Sequence, residues 1–494
     1  MSRQKPQLTL EEQRMSDCWK LWNELSDDWK KMFLVNFYHY DELEKLTTYL
    51  LSNKYSIRSK ITEEYRDNLD KLFENTSPEF QSPKDMESLL KMEKFHFCGV
   101  FHHRSAFHFR GAFHRKLLKN SIPNFFSKLV SLKKVFFQCF GIDDITFLKD
   151  MKNLEEIDLS NNGISDISPL KDLESLTELI LEGNCISNLS FLENLKNITK
   201  LDLNSNPIKS LKGLKKLDKI IDLNLAWTRI KTIKSLSALD KIEKLDLSEN
   251  HIKDFSILKR LKRLKVLRLY KVDIKNIESL SGLQNLTYLD LSCNDISDLE
   301  PLKDSKNLLE LHLGYNKISD LNPLSGMTKL LELGLCDNKI TDLSPLENLS
   351  NVKALELDNN SIKDIEPLKN MKNLILLELS NNCISDLKSL SALKKIEKIS
   401  LVQNKISDIT PLQNLKELFC LGLSKNKISD ITPLQNLKKL VYLNLHSNKI
   451  EDITPLSDLK KLKNLVLEKK QNYQYRGTTK TKKNGMFKFN TKSN

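Results

Sequence analysis

The stretch LTYLDLSCNDISDLEPLKDSKN, residues 286–307, decides the fold. Leu286, Leu289 and Leu291 follow the spacing LxxLxL, and alternation with a period of two is the mark of a short strand. Asn294 stands eight residues after Leu286, and Ile296 ten. Ser297-Asp298-Leu299 and Pro301-Leu302 follow, with Pro fixing φ where the chain turns back.

Steps of 22 residues from Leu286 reach Leu264, Ile242, Ile220, Ile198, Leu176, Leu154 and Leu132 in one direction. In the other they reach Leu308, Leu330, Val352, Leu374, Ile396, Leu418, Leu440 and Leu462. All sixteen anchors are aliphatic, and no insertion breaks the register. The tenth position is Ile in every copy from Ile142 to Ile450. The eighth is Asn from Asn162 to Asn448, with departures at Thr228 and Val272 in the middle copies. One such coil cannot bury its aliphatic side chains alone, whereas stacked coils pair their strands in parallel and enclose a continuous core. A short amide with donors and an acceptor satisfies the backbone groups that the turning strand leaves unpaired. Thr keeps part of that capacity and Val none, so local irregularity is expected at Val272.

The unit LxxLxL with Asn and IsDixPLxxLxxL resembles the 22-residue class of leucine-rich repeat, and its second half resembles the bacterial internalins most closely. The resemblance covers 132 to about 470. It implies an α/β solenoid, a horseshoe with a parallel, concave β-sheet. The same repeat length occurs in the regulatory subunit of type-1 protein phosphatase, so regulation of a phosphatase-like enzyme is one alternative function by analogy of fold. Internalins are secreted or wall-anchored. The opening MSRQKPQLTLEEQRMSDCWK shows no apolar stretch ending in a cleavage site, so a cytoplasmic chain is expected instead. Eight cysteines without CxxC spacing fit a reduced compartment. No run of about 18 apolar residues occurs, so no membrane span is expected.

Four regions are expected. Residues 1–90 carry Trp19, Trp22, Leu25 and Trp29 at helical spacing, then Phe33 and Phe37, and read as an N-terminal helical cap. This opening is similar to that of some cytoplasmic bacterial leucine-rich-repeat proteins. Residues 91–131 are a Phe/His-rich transition in which Phe-His recurs every six residues, at Phe95, Phe101, Phe107 and Phe113. Consecutive pairs on a straight strand lie about 20 Å apart, too far to share an ion, so no metal is expected. Residues 132–470 hold about 15 full coils and a terminal partial coil. Residues 471–494 are basic, with Arg476, Lys480, Lys482, Lys483, Lys488 and Lys492 and no acid, and read as a disordered tail. The formal net charge of +13 reflects this tail in large part. Contact with a nucleic acid through it is a second alternative, though a disfavoured one.

Strand residues at the second, fourth and sixth positions after each anchor should face away from the core. They are mostly acidic, among them Asp202, Asp290, Glu310, Glu332 and Glu356. Large side chains gather in the middle copies: Trp227, Arg268, Tyr270, Tyr288, His312 and Tyr315. Aromatic and Arg residues are the usual anchors of interfaces. These six, with Asp290, Glu310, Glu332 and Glu356, are the expected partner-binding set, on the concave face, for a protein with a basic or mixed surface bound by a monomeric scaffold. No P-loop, dinucleotide fingerprint, GxSxG elbow or HExxH is present, so no cofactor and no enzymatic activity are expected.

Overall fold

The computed structural model describes residues 94–98, 129–467, 481–483 and 486–488. After the first, whose strand has five residues, the described coils share one plan. A three-residue strand carries the central Leu of LxxLxL inward, a turn follows, and the chain returns through a short 3-10 turn. In the coil from Leu330, seven side chains are buried: Leu330, Leu333, Leu335, Ile340, Leu343, Leu346 and Leu349.

The Asn after the strand is the staple between coils. The Nδ2 of Asn316 lies 3.0 Å from the carbonyl of Leu291, in the preceding coil, and 3.0 Å from that of Leu313 in its own. Its Oδ1 accepts the N–H of Ile296 at 2.9 Å. One side chain thereby satisfies the backbone of two coils, which is what buried peptide groups require. A second asparagine ladder, not read in the sequence, runs along the return side. Asn307 Nδ2 donates to Gln284 O at 2.9 Å, and Asn153, Asn197, Asn285, Asn351 and Asn373 repeat the bond.

The residue before the staple is left-handed in coil after coil, from Cys139 with φ 61° to Ser447 with φ 55°. The coils without Asn add a second left-handed residue two positions later: Gly141, Arg229 and Asp273, the last with φ 59°. The irregularity expected at Val272 is therefore present, and Thr228 and Phe140 share it. The gap at Val272 is closed from the next coil, where Asn294 Oδ1 accepts the N–H groups of both Val272 and Ile274, each at 3.1 Å.

On the return side an Asp opens the 3-10 turn. Asp298 Oδ1 accepts the N–H of Glu300 at 2.8 Å, and Pro301 sits in the first turn of Glu300–Leu302. With 22 residues per coil, strand and turn leave room for about one helical turn, so 3-10 geometry suffices.

Chain contacts divide the protein into two units, Met1–Ile242 and Glu243–Asn494. In the first, β1 (Lys94–Cys98), β2 (Lys134–Gln138), β3 (Glu156–Asp158), β4 (Glu178–Ile180), β5 (Lys200–Asp202) and β6 (Asp222–Asn224) pair successively in parallel. In the second, the parallel series runs from β7 (Lys244–Asp246) through β8 (Val266–Arg268), β9 (Tyr288–Asp290), β10 (Glu310–His312), β11 (Glu332–Gly334), β12 (Ala354–Glu356), β13 (Leu376–Glu378), β14 (Lys398–Ser400), β15 (Cys420–Gly422) and β16 (Tyr442–Asn444) to β17 (Asn464–Val466). Within each repeat series residue i faces residue i+22, so equivalent positions stack.

The expectation of an α/β solenoid with an N-terminal helical cap is corrected. No α-helix occurs among the described residues, and the solenoid is built of parallel strands and 3-10 turns. The strand paired on the N-terminal side of β2 is β1, from the Phe/His-rich segment. Residues 1–90, where the cap was expected, lie outside the described residues. In the basic segment 471–494, β18 (Thr481–Lys483) and β19 (Met486–Lys488) form an antiparallel pair, and β19 also pairs antiparallel with β17. An edge strand that gains a partner loses its free hydrogen-bonding row. No helix among the described residues is long and apolar enough to cross a membrane.

Candidate functional site

The strand face carries most of the residues singled out from the sequence, because alternate strand positions cannot enter the core. In the second unit Tyr270, Tyr288, Asp290, His312, Tyr315 and Glu356 line a hollow of about 370 Å³. Ser292, Cys293, Gly314, Gly334 and Cys336 complete it. Two of these make the depression: a Cβ on Gly314 would lie 2.7 Å from Cys336 Sγ, and one on Gly334 would lie 3.3 Å from His312 Nδ1.

The aromatic wall is organised by its neighbours. The Arg268 guanidinium lies over the Tyr288 ring, 4.6 Å from its centroid, and Tyr288 tilts against the His312 ring at 5.5 Å. Such cation–π and ring contacts hold side chains in place without covering their outer faces. Tyr315 and Tyr270 remain 57% and 36% exposed, large apolar surfaces open to a partner. Tyr315 and Trp227 stand on left-handed turn residues rather than on strands, with φ 57° and 56°. Trp227 is also well exposed but belongs to the first unit, so the hollow is built without it.

Carboxylates define the electrostatics. Glu310 faces Glu332 directly across β10 and β11. Among the described residues, Glu310, Glu332 and Glu356 form no ion pair or side-chain hydrogen bond. Elsewhere on the strand faces acids are met: Glu156 by Lys134 at 2.6 Å, Glu178 by Lys200 at 3.1 Å, and Glu378 by Lys398 at 2.6 Å.

Cys336, Tyr270 and Tyr288 are poor nucleophiles. Burial and then the nearby Glu356, Asp337 and Asp358 push the Cys336 thiol up to about 11, so it stays protonated at neutral pH. A hydrogen bond with Cys293, with burial second, pushes the Tyr270 phenol up to about 12. Burial raises Tyr288, against the lowering effect of Arg268. These groups can bind and stack; they are not poised to transfer protons.

The sequence matches the description "Leucine Rich repeats (2 copies)" over residues 130–172, 152–194, 174–216, 262–304, 284–326, 328–370 and 413–461, and "Leucine rich repeat" over 350–406. Together these segments span more than half of the chain. Among curated proteins none matches significantly. Among solved structures the chain is similar to an internalin from Listeria monocytogenes, with 30% identity over 68% of this chain and 93% of that one, and a TM-score of 0.53. A leucine-rich-repeat protein of Leptospira interrogans, at 24% identity over 72% and 92% of the two chains, has a TM-score of 0.63 and shows the shared fold.

As a leucine-rich-repeat chain similar to an internalin, the protein is read as non-enzymatic. The cytoplasmic location expected from the sequence does not stand. The chain is similar to an internalin over most of that protein's length, and internalins are secreted or surface-anchored.

Proposed function

Because this chain belongs to the leucine-rich-repeat family, we propose that it is a binding scaffold that seats a protein partner on the strand face of its second unit, over the hollow between Tyr270 and Glu356. The observation that carries this reading is the run of unpaired Glu310, Glu332 and Glu356 beside exposed aromatic rings. Like charges in register on neighbouring strands disfavour the free protein, and a cationic partner relieves that cost on binding. The partner therefore presents a Lys- or Arg-bearing, basic or mixed surface, and the scaffold acts as a monomer. Tyr270, Tyr288 and Tyr315 supply the rigid contact area that anchors interfaces, Arg268 holds Tyr288 in place, and Asp290 and His312 line the hollow between them. Trp227 belongs to the first unit and is left out of this reading.

A displayed library of random peptides selected against the full chain tests the reading. Recovered peptides are expected to be Lys/Arg-rich, to weaken as salt rises, and to lose binding to Tyr288→Ala/Tyr315→Ala. Recovery of the same peptides by that variant, or binding indifferent to salt, overturns it.

A further inference from the structure

We propose that Glu310, His312 and Glu332 form a site for one divalent transition-metal ion of the zinc type. The three residues lie on the neighbouring strands β10 and β11, and one ligand atom from each lies within 4.8 Å of the other two. Ligand atoms on one tetrahedral zinc, at about 2.1 Å from the metal, stand about 3.4 Å apart. Closing the shell draws the ligand atoms together by up to about 1.4 Å, within the reach of side-chain rotation.

Two observations beyond the clustering point to a cation. Glu310 and Glu332 face each other in register and, among the described residues, neither has an ion pair or a side-chain hydrogen bond. Glu156, Glu178 and Glu378, elsewhere on the strand faces, each have a lysine beside them. The residue in register with His312 is Gly334, so no side chain covers the imidazole from that strand. A Cβ there would stand 3.3 Å from Nδ1, in the space an approaching ion needs.

The ligand set selects the metal. Calcium and magnesium prefer all-oxygen shells of six or more ligands, whereas an imidazole with two carboxylates suits zinc and its neighbours. The tilted stacking of His312 on Tyr288 restrains the ring, so less rotational freedom is lost when it coordinates. Three protein ligands leave one position of a tetrahedral shell open. A carboxylate or imidazole of a docked protein can fill it, and this last step alone rests on the docking reading above.

Zinc titrated calorimetrically into the purified full-length chain tests the site without any partner. The wild type is expected to bind one zinc equivalent more than His312→Ala. That equivalent should weaken by about tenfold or more in Glu332→Gln and resist competition from equimolar magnesium. Circular dichroism checks that both outward-facing variants retain the fold, and His312→Asn serves as a second, milder replacement. The same number of equivalents at the same affinity in the wild type and the His312 variants overturns the proposal, as does displacement by magnesium. Because zinc on Glu310 and Glu332 cancels charge that would draw a basic peptide, the peptide selection is run in chelator, and there neither zinc result decides whether basic peptides dock.

Discussion

The strand faces of the two units solve the same problem in different ways. In the first, carboxylates are met inside the fold. Glu156 and Glu178 have lysines, Asp158 accepts from Ser160 and Gln138, and Asp202 accepts from the Asn204 N–H and from Asn224 Nδ2 at 2.9 Å each. In the second, Glu378 has Lys398, but Glu310, Glu332 and Glu356, on the strands whose residues line the aromatic hollow, stand without such partners. The frame beneath is common to both, so surface charge varies from coil to coil without altering the stack. Repeat proteins allow this because coil-to-coil packing is set by the buried positions alone.

If the frame outranks the face, removal of a staple must cost more than any change of surface charge. Asn294→Ala strands the N–H groups of Val272 and Ile274 together with the carbonyl of Leu269, and should cost about 3–5 kcal/mol. Hydrogen exchange in peptides spanning residues 264–296 reads this locally. A loss smaller than that of the face variants below would break the comparison.

Next in size is the difference between satisfied and unburdened acids. Burial raises Asp202 to about 6 despite its hydrogen bonds. Its protonated form is favoured in the fold, so the cost of its ionisation is fully present above pH 6 and vanishes below its unfolded value near 4. The Asp202→Asn variant should therefore be more stable at neutral pH by about 1–3 kcal/mol, with the gain gone at pH 3.5. Asp342, Asp386, Asp408, Asp430 and Asp452 on the return side are shifted the other way by hydrogen bonds from the residue two positions on. Their stabilisation is present above the ordinary carboxylate value and is lost as pH falls through their lowered values. Urea melts between pH 3 and 7 should show the two trends opposed. A variant gain independent of pH would contradict the burial argument.

Smaller effects sharpen the contrast. Lys200→Met should destabilise the first unit, and Glu332→Lys should stabilise the second, each by about 0.5–1 kcal/mol because the groups are partly exposed. Equal signs would mean that the two faces do not differ as described. Added salt should protect β10 and β11 by only a few tenths of a kcal/mol, read as slower exchange near Glu310.

The repeat frame was legible because it recurs: sixteen anchors and twelve asparagines outvote any single residue. The consequence of losing Asn was legible at Val272, which has no polar atom, and was underestimated at Thr228. The Thr228 hydroxyl donates to Leu225 O at 2.7 Å, yet the chain still takes a second left-handed residue at Arg229. A hydroxyl carries one donor where the amide carries two and a carbonyl besides. The hollow was only half legible. Its aromatic walls could be named, but its floor depends on Gly314 and Gly334, which mark the absence of side chains. The return-side asparagines at Asn285 and Asn307 passed unread because they occur in only some copies. The helical cap inferred from tryptophan spacing falls on residues outside the described ones.

The staples also impose an order in time. In coil after coil the asparagine reaches back to a carbonyl 25 residues earlier, as Asn338 does to Leu313, so a coil is closed by amides belonging to its successor. On a ribosome the newest coil is therefore always unlocked, and the next 22 residues secure it. At translation rates of about 5–20 residues per second, that exposure lasts about 1–4 s per coil. Folding thus advances behind synthesis by one repeat, and a pause in elongation leaves a single open coil rather than an unfolded chain.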